Sequence, residues 1–333
     1  TINAMAYNDE VGLVDPFNGM EDIKYHKIRC VGRAEDRFSE DALRILRAIR
    51  FASQLGFVLE PDTDWNISKM YKNLENISIE RINSEFCKIA ASSDFCVQMV
   101  LYHEVFSLFI PEIKDMFGFQ QNNPYHIYDV WNHTVHAVQA YECDCEPDLN
   151  SRDLITSLAV FFHDIGKPHC YQDGEDGIRH FKGHGRVSAD MTDEIMKRLR
   201  FDNDTREKVV QLVYYHDATF EVGKKYVKRW LNKIGEEQFR RLLNVRRADI
   251  KAQADINQET RLQKRILLRT SRRSTPREKL SCVFTTHVKL RTFLSAEQMY
   301  CSLCRLHITM ILFASLRWST LFVMSWKTES RTA

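Results

Sequence analysis

Five short stretches between residues 133 and 249 place histidine and aspartate where a metal ion can use them. His133 stands in the run Val-Trp-Asn-His-Thr-Val-His-Ala-Val, and His163-Asp164 follows the apolar run Leu158-Ala-Val-Phe-Phe162 and precedes Ile-Gly-Lys-Pro168. Gly183-His184, Tyr215-His216-Asp217 and Arg247-Ala-Asp249 complete the series. A lone histidine inside a helix is commonly a core or surface residue, so each stretch says little by itself. The ordered set, His, His-Asp, His, His, Asp, says more. Adjacent histidine and aspartate on a helix diverge by about 100° and can still straddle one ion. Imidazole with carboxylate suits Mn, Fe, Co, Ni or Zn better than the all-oxygen cage calcium prefers. His126, His136 and Asp217 are possible substitutes in the same shell.

Asp41 and Arg44 make a second candidate. Spaced three apart in a predicted helix, they would share one face, and Arg47 and Arg50 would continue a basic row. The plain account of an isolated Glu-Asp-x-x-Arg is an intrahelical ion pair on a solvated face. The chemical account is base recognition. A carboxylate accepts from an exocyclic amine and a guanidinium donates to ring nitrogen and carbonyl oxygen, so together they complement the pairing edge of cytosine or adenine.

The elements that must position these groups read as mainly α. Val11–Asp15 and Lys27–Val31 are predicted as short strands, the first running into a Pro-Phe-Asn-Gly turn. Ser39, followed by Glu40 and Asp41, is expected to cap a helix that runs from Ala42 to Leu55 and stops at Gly56. Short helices are expected at 64–75, 78–92, 94–101 and 103–109. The pattern stays helical from 126 to 260, with loops at 143–150, 166–183 and 202–204.

With 333 residues, 44% of them hydrophobic and 28% charged, the chain has the composition of a soluble globular protein and not of a disordered or collagen-like one. Its net charge of +2 hides an asymmetry. Residues 265–333 hold 12 basic and 3 acidic residues, a net of +9, leaving −7 for residues 1–264. That last segment has no glycine, 18 serines and threonines, and no clear helical period, so residues 263–333 are expected to be disordered or the product of a shifted reading frame. Between Leu306 and Trp326 the apolar run is broken by His307 and Arg317, too soon for a membrane span. Nine scattered cysteines suit a reducing, cytoplasmic setting; Cys143-x-Cys145 and the lone Cys301-x-x-Cys304 lack the spacing of a zinc knuckle.

From Thr1 to about residue 110 an ordered series of motifs resembles the bacterial class II tRNA nucleotidyltransferases, the CCA-adding enzymes and their poly(A) polymerase relatives. The series comprises Thr1-Ile-Asn-Ala-Met-Ala-Tyr7, Gly12-Leu-Val-Asp-Pro-Phe-Asn-Gly-Met-Glu-Asp22, Arg37-Phe-Ser-Glu-Asp-Ala-Leu-Arg44 and Ile77-Ser-Ile-Glu-Arg-Ile82. The resemblance implies that Asp41 and Arg44 select CTP and ATP, with Glu80, Arg81 and Glu85 supporting them. Residues 126–255 resemble the HD superfamily of metal-dependent phosphohydrolases. That likeness implies His133, His163, Asp164 and Asp249 as core metal ligands, His184 and His216 as an added pair for a second ion, and Lys167 as a phosphate neutraliser. Mn, Co, Ni or Fe is the metal expected there.

The implied organisation is the end of an α/β nucleotidyltransferase head (1–32), a helical neck (33–120), a helical HD-type domain (121–262) and the aberrant end (263–333). In the family, the two Mg2+-binding carboxylates lie upstream of the segment with which this sequence opens. The chain is therefore expected to be an N-terminally truncated piece, inactive in nucleotide addition by itself. tRNA, CTP and ATP are the expected partners, with no DNA and no membrane. A poly(A) polymerase, a stand-alone HD phosphohydrolase and a non-catalytic RNA-binding protein are the alternatives.

Overall fold

A computed structural model describes residues 1–144, 152–219 and 223–253, which belong to one compact unit. The expectations for residues 263–333, and those for the Cys145 and Cys301/Cys304 positions, lie outside the described residues. The fold is mainly α. It opens on an antiparallel hairpin of β1 (Ala6–Asn8) and β2 (Gly12–Val14), with Ala6 opposite Val14. Asn8 Oδ1 accepts from Glu10 N at 2.7 Å and Gly12 takes a positive φ of 79°, which together close the turn. Asp15 then accepts from the backbone of Gly19 and Met20 and so caps α1 (Gly19–Lys24). The predicted strand at 27–31 shrinks to β3 (Lys27–Ile28), which pairs in parallel with an unpredicted β4 (Val58–Leu59).

Between those strands lie α2 (Ala34–Glu40) and α3 (Leu43–Leu55), the latter closed by Gly56 in the left-handed region. The expected helix start at Ser39 is not there. Ser39 sits inside α2, where its hydroxyl donates to the Glu35 carbonyl, and the chain breaks at Asp41, whose backbone is extended. Helices α4 (Pro61–Met70), α5 (Ile79–Ala90), α6 (Phe95–Leu101) and α7 (His103–Phe109) follow close to the predicted spans, α4 starting three residues earlier because Pro61 opens it and Glu60 caps it.

The second half is built from α8 (Val130–Asp144), α9 (Leu154–Phe162), α10 (His184–Arg198), α11 (Asn203–Tyr215), α12 (Lys224–Ile234) and α13 (Glu236–Lys251). The predicted loop at 166–183 contains a 3-10 turn at Lys167–His169 and a small hairpin of β5 (Gln172–Asp173) and β6 (Arg179–His180). Helix α9, reading LITSLAVFF, is apolar nearly all round because it packs against α8, α11 and α13, with α5 of the neck reaching it as well. Phe161 on α9 meets Phe86 of α5 at 6.0 Å and Phe95 of α6 at 5.5 Å between ring centroids, so the neck and the second half share one aromatic core.

One polar group is sealed into that junction. Glu142 of α8 is buried and accepts from the backbone N of Cys96 in the first turn of α6 at 3.1 Å. Burial pushes its carboxyl up to about 8. A carboxyl protonated in the folded state and ionised in the unfolded one gives stability that is complete below about pH 4.5 and is lost as the pH rises toward 8. Glu142→Gln keeps the acceptor and removes the titration. Its melting temperature should match the wild type at pH 4.5 and exceed it by several degrees at pH 8, a stability gap on the order of 3 kcal/mol. Equal melting temperatures at both pH values would show that Glu142 is ionised without penalty.

Candidate metal centre

The ends of five helices meet at one buried point. His133 lies in the first turn of α8 and His184 is the first residue of α10. His163-Asp164 and His216 directly follow α9 and α11, and Asp249 lies in the last turn of α13. Asp164 is at the centre. Its Oδ2 is 3.3 Å from His133 Nε2 and 3.1 Å from His163 Nε2, while its Oδ1 is 3.4 Å from His184 Nε2 and 3.6 Å from His216 Nε2. Asp249 Oδ1 stands 3.3 Å from His133 Nε2 on the far side. The donor atoms thus fall into two groups, His133, His163 and Asp249 in one and Asp164, His184 and His216 in the other, each within 4.8 Å.

The imidazoles are aimed by a device used three times. His163 Nδ1 bonds the Val160 carbonyl at 2.7 Å, His184 Nδ1 the Phe181 carbonyl at 2.8 Å and His216 Nδ1 the Val213 carbonyl at 2.6 Å. A carbonyl can only accept, so each Nδ1 carries the proton and each Nε2 turns a lone pair inward. His184 and His216 therefore face each other, lone pair to lone pair, at 3.0 Å. Neither Asp164 oxygen receives a hydrogen bond, although Lys167 Nζ stands 2.7 Å from Oδ2. Lone pairs converging on one another without a proton between them repel, and a cation relieves that repulsion. Two donors bound to one ion at about 2.1 Å lie roughly 3.0–3.4 Å apart at octahedral or tetrahedral angles. The observed separations fall in or close to that range, so the donor set fits a divalent transition metal, with Asp164 offering one oxygen to each group.

The charges agree. Burial opposes ionisation of Asp164, but His163 and Lys167 hold its carboxyl well below the usual range. Asp249 is likewise held low against burial by His133 and His163. Burial keeps His133 neutral, and burial together with His216 pushes His184 down to about 4. Burial also opposes protonation of His163, but Asp164 prevails and raises it.

An open cavity of about 250 Å³ leads to the centre, with His126, Lys167, His180 and Lys182 on its walls. Lys167 Nζ also donates to Gln121 Oε1 at 2.8 Å. Gln121, His180 and Lys182 escaped the sequence reading, since nothing in their spacing marks them. Of the possible substitute ligands, His126 packs edge-on against His133 and Asp217 lines the cavity, whereas His136 turns away to stack on Tyr128.

The second candidate site takes a different form from that expected. Asp41 precedes α3 instead of sharing its face with Arg44. Its Oδ1 accepts from Leu43 N at 3.1 Å and its Oδ2 pairs with Arg81 at 2.8 Å. Arg44 pairs with Glu40 at 2.5 Å and donates to the Arg37 carbonyl. Arg50 leaves the expected basic row and turns inward to Glu85 at 2.8 Å. Arg81 and Glu85 of α5 thus hold the corner and the middle of α3, while Glu80 lies in the first turn of α5. Among the described residues no strand carries an Asp-x-Asp pair, and Asp62 and Asp64 lie in the first turn of α4.

Fold and site together define a mainly helical protein with one buried cluster of histidines and aspartates that fits a metal ion. A family model described as the HD domain matches residues 125–254, and one described as the probable RNA- and SrmB-binding site of polymerase A matches residues 56–117. The A-adding tRNA nucleotidyltransferase of Deinococcus radiodurans is 31% identical over 242 residues, covering 70% of this chain and 54% of that protein. The CCA-adding enzyme of Lactobacillus johnsonii is 50% identical over 103 residues, 30% of this chain and 26% of that enzyme. A crystal structure of the Bacillus stearothermophilus CCA-adding enzyme in complex with CTP aligns at 22% identity over 81% of this chain and 56% of its own, with a TM-score of 0.48. The chain belongs to the CCA-adding enzyme and poly(A) polymerase family and carries an HD domain. It spans about half, or less, of the length of these curated relatives.

Gly166 gives a direct handle on the centre. A Cβ there would come within 2.5 Å of Ser188 N, on the helix that begins with His184. Gly166→Ala should push α10 outward and carry His184 away from Asp164. The expected result is a loss of roughly 1–3 kcal/mol of stability and at least tenfold weaker Mn2+ binding by calorimetry. Unchanged Mn2+ affinity would mean that His184 does not take part.

Proposed function

We propose that the chain is the neck and HD portion of a cytoplasmic tRNA nucleotidyltransferase that adds CCA from CTP and ATP, and that its HD domain is a metal-dependent phosphoesterase. The observation that carries the second part is the buried Asp164 carboxylate, which offers an oxygen to each of two imidazole groups. Divalent Mn, Co, Ni or Fe held there would supply the Lewis acid that polarises a phosphoester. His133, His163 and Asp249 would hold one ion, His184 and His216 a second, and Asp164 would serve both.

The chain's own groups do the rest. Lys167, fixed by Gln121, keeps positive charge at the cavity wall for the phosphate oxygens, and His126, pushed far down by burial, stays neutral beside it. Phosphomonoesters and 2′,3′-cyclic phosphates, the chemistry of damaged RNA ends, fit a site of this charge.

For nucleotide addition, Asp41 and Arg44 support base selection because both lie at the start of α3, where Arg81 braces Asp41. Arg81 pairs with Asp41 and Glu40 with Arg44. Mg2+ is the ion for that reaction, and its carboxylates are not supplied by any described strand. Addition of A alone, or of a poly(A) run, is the competing reading, since the Deinococcus relative is named as A-adding and the neck matches a polymerase A module.

Melting, phosphoester hydrolysis and nucleotide incorporation test these roles. Mn2+ or Co2+ should raise the melting temperature and a chelator should return it, as expected when a ligand binds only the folded state. His163→Ala combined with Asp164→Ala should abolish both that shift and hydrolysis of a 2′,3′-cyclic phosphate. Hydrolysis that survives the double substitution would place the chemistry elsewhere. Residues 1–333 alone should incorporate neither CTP nor ATP into tRNA. Joined to a nucleotidyltransferase head that carries the two carboxylates, they should extend tRNA lacking CCA. In that protein Asp41→Ala or Arg44→Ala should raise KM for CTP and ATP about tenfold or more, because each charge-assisted hydrogen bond is worth about 1.5–3 kcal/mol. Unaltered nucleotide choice in both variants would remove the template role.

A further inference from the structure

The hairpin beside the cavity is short and polar. β5 and β6 have two residues each, Gln172 and Asp173 are exposed, and Arg179 stands opposite Asp173. A ladder of that length with no apolar face of its own needs an anchor. Arg179 supplies it. Its Nε and Nη2 donate to the two Asp173 oxygens at 2.6 and 3.0 Å, and its guanidinium stands over the Phe119 and Tyr171 rings, 5.0 and 4.4 Å from their centroids. Nη1 crosses to the segment before α8 and donates to the Gln120 carbonyl at 2.9 Å. The backbone N of Arg179 donates to the Asn122 carbonyl at 3.0 Å. One residue of the hairpin thus holds both chain neighbours of Gln121.

Gln121 is buried. Its Nε2 donates to the Tyr128 carbonyl at 3.1 Å, which turns Oε1 toward Lys167 Nζ at 2.8 Å. Lys167 is buried as well, with Asp164 Oδ2 at 2.7 Å and the centroid of the Phe181 ring at 5.3 Å from its ammonium. Phe181 follows Arg179 by two residues. Gln121 and Phe181 therefore sit on the two segments that Arg179 joins, and between them they wall in the ammonium. Asp164 is the remaining neighbour, and it is the carboxylate shared by the two imidazole groups. Lys167, His180 and Phe181 line the cavity, whereas Arg179 stands behind its wall.

We propose that Arg179 is a positioning residue for phosphoester binding, which acts through Gln121 and the Phe181 wall to fix the Lys167 ammonium beside the metal centre. Its bearing on catalysis rests on the phosphoesterase reading given above. A cation that must meet phosphate oxygens is useful only where its place is set in advance, since an ammonium on four flexible carbons otherwise spends binding energy on being ordered. A planar fork suits this task because it can grip a carboxylate, reach a carbonyl and lie against two rings at once, which an ammonium in its place could not.

The test uses the full chain with Arg179→Met, which keeps an unbranched side chain and loses the fork, and with Asp173→Asn, a milder change that leaves the ring contacts. Labelling by acetic anhydride is read by mass spectrometry in EDTA, so that no metal takes part. Lys167 labelling should rise about fivefold or more in Arg179→Met and by less in Asp173→Asn, as the wall opens locally, with the half-exposed Lys88 of the neck unchanged. Gln121→Ala should also raise it, and the double variant Arg179→Met/Gln121→Ala should show less than the product of the two single rises, because the residues act on the same ammonium. With Mn2+ bound, Arg179→Met should raise KM for p-nitrophenyl phosphate about fivefold, with kcat changed less than about twofold and Mn2+ affinity by calorimetry unaltered. Unchanged Lys167 labelling in both single hairpin variants, fully multiplicative rises in the double variant, or a loss of Mn2+ affinity with KM unchanged would overturn the proposal. If no protein of the set hydrolyses any phosphoester while Lys167 labelling behaves as stated, the positioning of Lys167 stands and the phosphoesterase reading fails.

Discussion

The second half of the molecule depends on one buried carboxylate ringed by imidazoles. Asp164 is 1% exposed, and the nitrogens of four histidines stand within 3.6 Å of its oxygens. Such a cluster is costly to bury unless charge is balanced inside it. Lys167 supplies part of that balance, and a divalent ion would supply the remainder. The surrounding helices follow from this need. Helix α9 can be apolar on all sides because its polar work is confined to the two residues after its end. Gly166 lets α10 approach closely enough to bring His184 in.

The neck shows the same economy with exposed groups. Arg81 and Glu85, on one face of α5, reach across to Asp41 and Arg50 at two levels of α3. The Arg50–Glu85 pair is largely buried and fixes the register of the two helices. The Asp41–Arg81 pair is half open to solvent. The division of labour between a fixed brace and an exchangeable one follows from burial alone.

Much of this was legible in the sequence. The six residues of the buried cluster could be picked out because their histidines and aspartates form one ordered series along the helical part of the chain, and helical periods located α3 and α5–α7 closely. The break at Asp41 was missed because Ser39 followed by acids imitates an N-cap, while the true α2 already occupied that stretch. The inward turn of Arg50 was missed because a basic row reads as solvated until its partner on another helix is known. Strands of two residues, such as β4 and β6, have no period to detect. Gln121 is invisible for a different reason, since its role depends wholly on where Lys167 ends up in space.

The three histidines anchored on carbonyls three residues back have a consequence for how the centre assembles. A hydrogen bond spanning three residues closes a very small loop, and its entropic cost falls on the local chain. Ring orientation and tautomer can therefore be settled as each helix end forms, before the helices meet. What folding must still arrange is the approach of a few pre-aimed ends, a problem in rigid-body docking with few degrees of freedom. His133, whose Nδ1 has no such anchor, is the exception, and its ring is positioned by the walls around it, His126 among them.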